Sequence, residues 1–113
     1  MEMKPYPDMV RGLFKTAGMD PKAEAMLHAA VGIAGEAGEL LDAIKKVWAY
    51  SKPIDMENVI EELGDLEFYL EALRQQIQVA REHVLKANQE KLAKRYPDGV
   101  YSDLHAQSRL DKE

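Results

Sequence analysis

The sequence contains no cysteine, which removes disulfides and thiol chemistry from consideration. No apolar run approaches the roughly 20 residues needed to span a membrane, so no membrane partner is expected. Cations are outnumbered, 15 Lys and Arg against 20 Asp and Glu. The net charge of −5 disfavours a nucleic-acid polymer as partner, because such binding needs clustered cations to displace counterions. A small anion held through a metal ion is compatible with that balance. The opening Met1-Glu-Met-Lys-Pro-Tyr-Pro7 is not an apolar signal segment, which makes the cytoplasm the expected location. Strand-like alternation, repeats and linker-like stretches are also missing.

What remains reads as one all-α domain over residues 1–113, a helical bundle of about four helices. Its motif-bearing part covers about 20–99, and 100–113 form a tail. Asp8, after Pro7, is expected to cap a short helix through Phe14 and Lys15 that ends near Gly18. Asp20-Pro21 marks the start of a long helix, with Asp as N-cap and Pro at the first helical position. Apolar residues from Ala25 to Trp48 recur there at intervals of three and four, so the helix runs to about Tyr50. Pro53 breaks the chain, Asp55 caps the next helix, and Met56, Val59, Ile60, Leu63, Leu66, Tyr69, Leu70, Leu73 and Ile77 keep the same period. A further helix is expected from about Arg81 to Tyr96, stopped by Tyr96-Pro-Asp-Gly99. The tail is polar, with Tyr101 and Leu104 as docking points, and a partner subunit is expected to order it.

Two carboxylate pairs of one pattern stand out, Glu36-Ala-Gly-Glu39 and Glu62-Leu-Gly-Asp65. A spacing of three puts both acids of a pair on one helix face, about 60° apart. The short breaker between the helices predicts antiparallel neighbours. Positions 36 with 65, and 39 with 62, both average 50.5, so all four acids fall at one level of the hairpin. Left alone they would repel and raise one another's pKa values, a cluster suited to a hard divalent cation with oxygen ligands. From Pro53 to Leu73 there are seven acids and no Lys or Arg, so this helix cannot neutralise itself. Glu57, Glu67 and Glu71 are expected to face water, and Glu61 to stand behind the cluster.

The next helix is basic, and Asn88, Lys91 and Arg95 share a stripe that offers an amide, an ammonium and a guanidinium to phosphate oxygens. A solvated basic face would look the same. Lys46 lies two turns beyond Glu39 and could reach phosphate, against an ordinary helix pair with Asp42. Tyr69, one turn past Asp65, could orient phosphate or stack on a base, or could be core. His28, two turns before Glu36, could line a base pocket or be structural. Trp48 falls opposite the acids, which predicts core or subunit interface. Gly32, Gly35 and Gly38 each cost about 0.8–1 kcal/mol relative to Ala within a helix, a loss offset by close packing or ligand approach.

Three blocks in order carry a family resemblance. They are Gly32-Ile-Ala-Gly-Glu-Ala-Gly-Glu-Leu-Leu-Asp-Ala-Ile-Lys-Lys46, Ile60-Glu-Glu-Leu-Gly-Asp-Leu-Glu-Phe-Tyr-Leu70, and Asn88-Gln-Glu-Lys-Leu-Ala-Lys-Arg-Tyr-Pro-Asp-Gly99. From about His28 to Gly99 the chain resembles the MazG-like nucleotide pyrophosphohydrolases of the all-α nucleoside triphosphate pyrophosphatase superfamily. The resemblance implies hydrolysis of a ribo- or deoxyribonucleoside triphosphate to monophosphate and pyrophosphate, in nucleotide-pool control or house-cleaning. It implies Mg²⁺ as cofactor, with Mn²⁺ able to substitute, and assembly as a homodimer or homotetramer. By motif position it makes Glu36, Glu39, Glu62 and Asp65 the metal ligands and catalytic acids, and Asn88, Lys91 and Arg95 the phosphate contacts. His28, Tyr69 and Lys46 are the candidates for the base and substrate pocket. Some relatives carry a further acid just before the first motif, where this chain has Gly35. The rival readings are a phosphoribosyl-ATP pyrophosphohydrolase and a non-catalytic helical dimer that binds metal or nucleotide.

Overall fold

The computed structural model describes residues 3–20 and 23–112. Among these residues the chain is all-α, with five α-helices, a final 3-10 turn and no strand. It divides into two compact units, Met1–Gln78 and Val79–Glu113. Among the described residues no helix is long and apolar enough to cross a membrane.

The first unit holds α1 (Tyr6–Leu13), α2 (Glu24–Tyr50) and α3 (Met56–Gln76). Pro5 flanks α1, whereas Asp8 lies inside its first turn and pairs with Arg11 at 2.8 Å, so the expected Asp8 cap is corrected. Helix α2 starts at Glu24 with Ala23 as N-cap and no side-chain cap, so the expected Asp20 cap is corrected; the Asp20 carboxylate accepts from the Ala23 N–H at 3.3 Å just before the helix, and Pro21 lies outside the described residues. Ser51 ends α2 in the left-handed region at φ 52°, Pro53 follows, and the Asp55 side chain accepts from the Asn58 N–H at 3.1 Å to cap α3. These signals produce the antiparallel α2–α3 hairpin.

The core of this unit is small: Val10, Phe14, Ala25, Ala29 and Ala72, with Phe68, Tyr69 and Leu73 packed on it. Alanines at the α2–α3 contact let the helix axes approach closely, since side-chain size sets interaxial distance. Glu71 is buried at 8% exposure instead of facing water, because it answers charges and donors within reach. Its carboxylate accepts from Arg74 Nε at 3.1 Å and from Gln75 Nε2 at 2.8 Å. Gln75 also donates to the Pro7 carbonyl at 2.8 Å, which ties α1 to α3.

In the second unit are α4 (Arg81–Arg95), α5 (Asp103–Ser108) and the 3-10 turn Leu110–Lys112. Gly99 at φ 74° closes the turn after α4, its N–H donating to the Tyr96 carbonyl at 2.9 Å. Ser102 then caps α5 by accepting from the His105 N–H at 3.1 Å. The tail thus makes ordering contacts within its own chain. Arg95 clasps Asp111 through Nε at 2.7 Å and Nη2 at 3.2 Å, a paired contact that docks the last turn on α4. The two expected docking points, Tyr101 and Leu104, are exposed.

Of the three α2 glycines, Gly32 alone meets a neighbour: a Cβ there would overlap the Tyr69 ring, whereas Gly35 and Gly38 face open space. Tyr69 is hemmed in by Phe68 and Phe14, with ring centroids at 5.2 and 6.4 Å, so it has little room to yield. Gly32→Ala should therefore lose stability by about 1–3 kcal/mol, overpacking outweighing the gain in helix propensity. Gly35→Ala should gain up to about 1 kcal/mol, and paired thermal melts will distinguish the two.

Candidate metal centre

The hairpin brings three of the expected acids together. Carboxylate oxygens of Glu36, Glu62 and Asp65 all lie within 4.8 Å of one another, with Glu36 and Glu62 half-buried and Asp65 exposed. Glu39 falls outside this triplet but shares a cavity wall with Glu62. Burial holds the Glu62 carboxyl above its ordinary pKa, and the charges of Glu36, Glu39 and Asp65, with a hydrogen bond to Glu36, push it the same way. A donor set of carboxylate oxygens alone, carrying excess negative charge and free of nitrogen or sulfur ligands, fits a hard divalent cation.

Toward the breaker, the acids border a cavity of about 360 Å³ lined by Glu39, Glu62, Lys45, Lys46, Tyr50 and Asn58, with Asp42 and Ala43 completing the wall. The expected Asp42–Lys46 pair does not form; among the described residues no ion pair involves either side chain. Asn58 and Tyr50 are absent from the sequence-based site. The level rule that pairs 39 with 62 also pairs 43 with 58, so one more turn toward the breaker leads to Asn58.

At the other end of the acids the surroundings turn aromatic. Tyr69 covers Gly32, and His28 stacks on Phe14 at 4.6 Å and meets Tyr69 edge-on at 6.1 Å. His28 Nδ1 donates to the Lys15 carbonyl at 3.2 Å, which anchors the loop after α1 and leaves Nε2 as the acceptor nitrogen. His28 and Tyr69 therefore belong together. Lys46 does not join them: eighteen residues from His28 along α2, it is about 27 Å away. Trp48 is 83% exposed, which rules out the core position within this chain.

Asn88 and Lys91 are exposed on α4, while Arg95 is half-buried with the Nε and Nη2 edge of its guanidinium on Asp111. That contact raises the Arg95 pKa and lowers that of Asp111. The sequence stripe gave no sign of this partner, because Asp111 is sixteen residues away and arrives through the fold of the tail.

Residues 25–100 match the family model for the MazG nucleotide pyrophosphohydrolase domain. Neither a curated protein nor a solved structure gives a match.

Burial of Glu62, reinforced by the like charges around it, ties stability to pH. With the Glu62 pKa raised above 4.5, the folded chain holds that proton more tightly than the unfolded chain does. This contribution favours the fold below pH 4.5 and is lost as pH climbs through the raised value. Glu62→Gln should thus raise the melting temperature of the chelator-treated protein at pH 7 and lose most of that advantage below pH 4.5. Circular dichroism melts at the two pH values check this.

Proposed function

The chain belongs to the MazG nucleotide pyrophosphohydrolase domain family, and from that premise we propose that it is a Mg²⁺-dependent hydrolase of ribo- or deoxyribonucleoside triphosphates. The products are the nucleoside monophosphate and pyrophosphate. The convergence of Glu36, Glu62 and Asp65, inside the stretch that matches the family, carries this reading. One anhydride linkage breaks, between the α and β phosphorus atoms. Water adds to one phosphorus, the bridging oxygen leaves with the other product, and a proton is released.

Glu36, Glu39, Glu62 and Asp65 would hold the cation, with Mn²⁺ able to replace Mg²⁺. When bound, the cation supplies positive charge to the phosphoryl oxygens and lowers the pKa of an attacking water. The acids set its position from two rigid helices, so little reorganisation is needed during reaction. Tyr69 and His28 offer ring surface to the nucleoside end. Asn88, Lys91 and Arg95 are the phosphate contacts that the family motif assigns, an amide and two cations suited to phosphoryl oxygens. Such a chain would act in the cytoplasm, on the free nucleotide pool.

Assembly as a dimer or tetramer is part of the same proposal. Leu27, Val31, Leu41 and Trp48 form one exposed stripe on α2, and Met56, Ile60 and Leu63 another on α3. A surface this apolar is covered in most soluble proteins, and a second copy would cover it.

Two measurements test the proposal. Incubation with triphosphates and Mg²⁺ should give monophosphate and pyrophosphate, and Glu39→Gln or Asp65→Asn should each remove most turnover while preserving helical content. Orthophosphate release with a diphosphate product would sink the assignment. Light scattering at micromolar concentration should give at least twice the 12.8 kDa mass of one chain; a fully active monomer would overturn the assembly claim alone.

A further inference from the structure

The geometry points to a pyrophosphate-binding subsite at the turn end of the α2–α3 hairpin, built by Lys46 and Asn58 with Tyr50 and Lys45 at its edge. The inference rests on the proposed hydrolysis and adds where the leaving group is held. The cavity that Lys46 and Asn58 line is bounded on its other side by Glu39 and Glu62, so an anion seated there lies beside the acid cluster. A second cavity of about 350 Å³ shares Lys46, Asn58 and Ala43 with the first and adds Lys52. Lys45 and Lys46 thus line the first cavity and Lys46 and Lys52 the second, and among the described residues none of the three is in an ion pair. Asp42 is the only carboxylate in the first cavity besides the two cluster acids, and Asp55, in the second, is committed to capping α3.

The opposite end of the cluster decides the direction. There Tyr69 and His28 of the hairpin pack on one another and on Phe14, and the Arg74 and Gln75 side chains beyond them are committed to Glu71. At the turn end, ammonium groups outside any ion pair among the described residues stand beside an amide that can donate to phosphoryl oxygens. The recess is too polar to favour a base, and its size lies within the roughly 300–1,000 Å³ usual for small-ligand sites. A triphosphate would therefore run along the hairpin with its terminal phosphates toward Lys46 and Asn58. Neutralising the charge that builds up on pyrophosphate as it leaves is the contribution this subsite makes to the reaction.

Calorimetric titration of the full chain with inorganic pyrophosphate and Mg²⁺, and separately with a nucleoside monophosphate, tests the subsite without requiring turnover. Lys46→Ala and Lys46→Gln should weaken pyrophosphate binding about tenfold and Asn58→Ala about threefold, each leaving the monophosphate within about twofold. Lys46 is exposed, so loss of the fold does not confuse the result, and circular dichroism verifies it. Unchanged pyrophosphate affinity in the Lys46 variants, equal losses for both ligands, or a loss confined to Lys91→Ala would each overturn the subsite. Pyrophosphate binding that depends on Lys46 in a chain that hydrolyses no triphosphate would support the subsite while removing the proposed reaction.

Discussion

The register of α2 against α3 governs everything else in the first unit. It is set at one end by the left-handed Ser51, Pro53 and the Asp55 cap, and at the other by Tyr69 seated in the space left by Gly32. Sliding one helix by a single residue would turn its side chains by about 100° relative to the partner. The acids would then scatter, and the recess beside Lys46 would lose its wall. A stiff, closely packed hairpin is what allows carboxylates to be held at a distance they would not choose. The burial and repulsion that raise the Glu62 pKa are balanced by contacts made elsewhere along the same two helices.

Those contacts are few. The core is made largely of alanine with one valine and one phenylalanine, so the apolar area removed from water within one chain is modest. Much of the remaining stability is local: caps at Asp55 and Ser102, the Asp20 contact to the Ala23 N–H, the Glu71–Arg74–Gln75 cluster that fastens α1, and the Arg95–Asp111 clasp in the second unit. The same economy leaves large apolar side chains on the outside of the hairpin. A chain that spends its inner surface on a charged cluster has a physical reason to recruit another surface for burial.

Much of this was legible in the sequence because helix period, caps and breakers act locally. Pro53 and Asp55 announced the turn, and the level rule placed Glu36 opposite Asp65 correctly. Features that depend on contacts between distant residues were not legible. Glu71 reads as one more solvent-facing acid of an acidic helix, and its burial follows only once α1 docks and brings the Pro7 carbonyl within reach of Gln75. Arg95 reads as one more cation of a basic stripe, and its Asp111 partner appears only once the tail folds. Lys46 and Asp42 have the spacing of a helix pair, yet spacing alone does not make them meet. The role of Gly32 needed the identity of the residue opposite, whereas the open surroundings of Gly35 and Gly38 leave their presence in the helix unexplained by packing within the chain.

Trp48 gives the molecule an optical property of its own. It is the single tryptophan of the chain, and it lies on the outer stripe of α2, far from the Val10–Phe14 core. Its indole is solvated in the isolated subunit already, so unfolding that subunit changes its surroundings little. A shift of its emission to shorter wavelength would instead mark the moment another surface closes over the stripe. Tryptophan emission in this protein would therefore report on any surface that covers the stripe and stay nearly silent about the integrity of the core, the reverse of what a buried tryptophan provides.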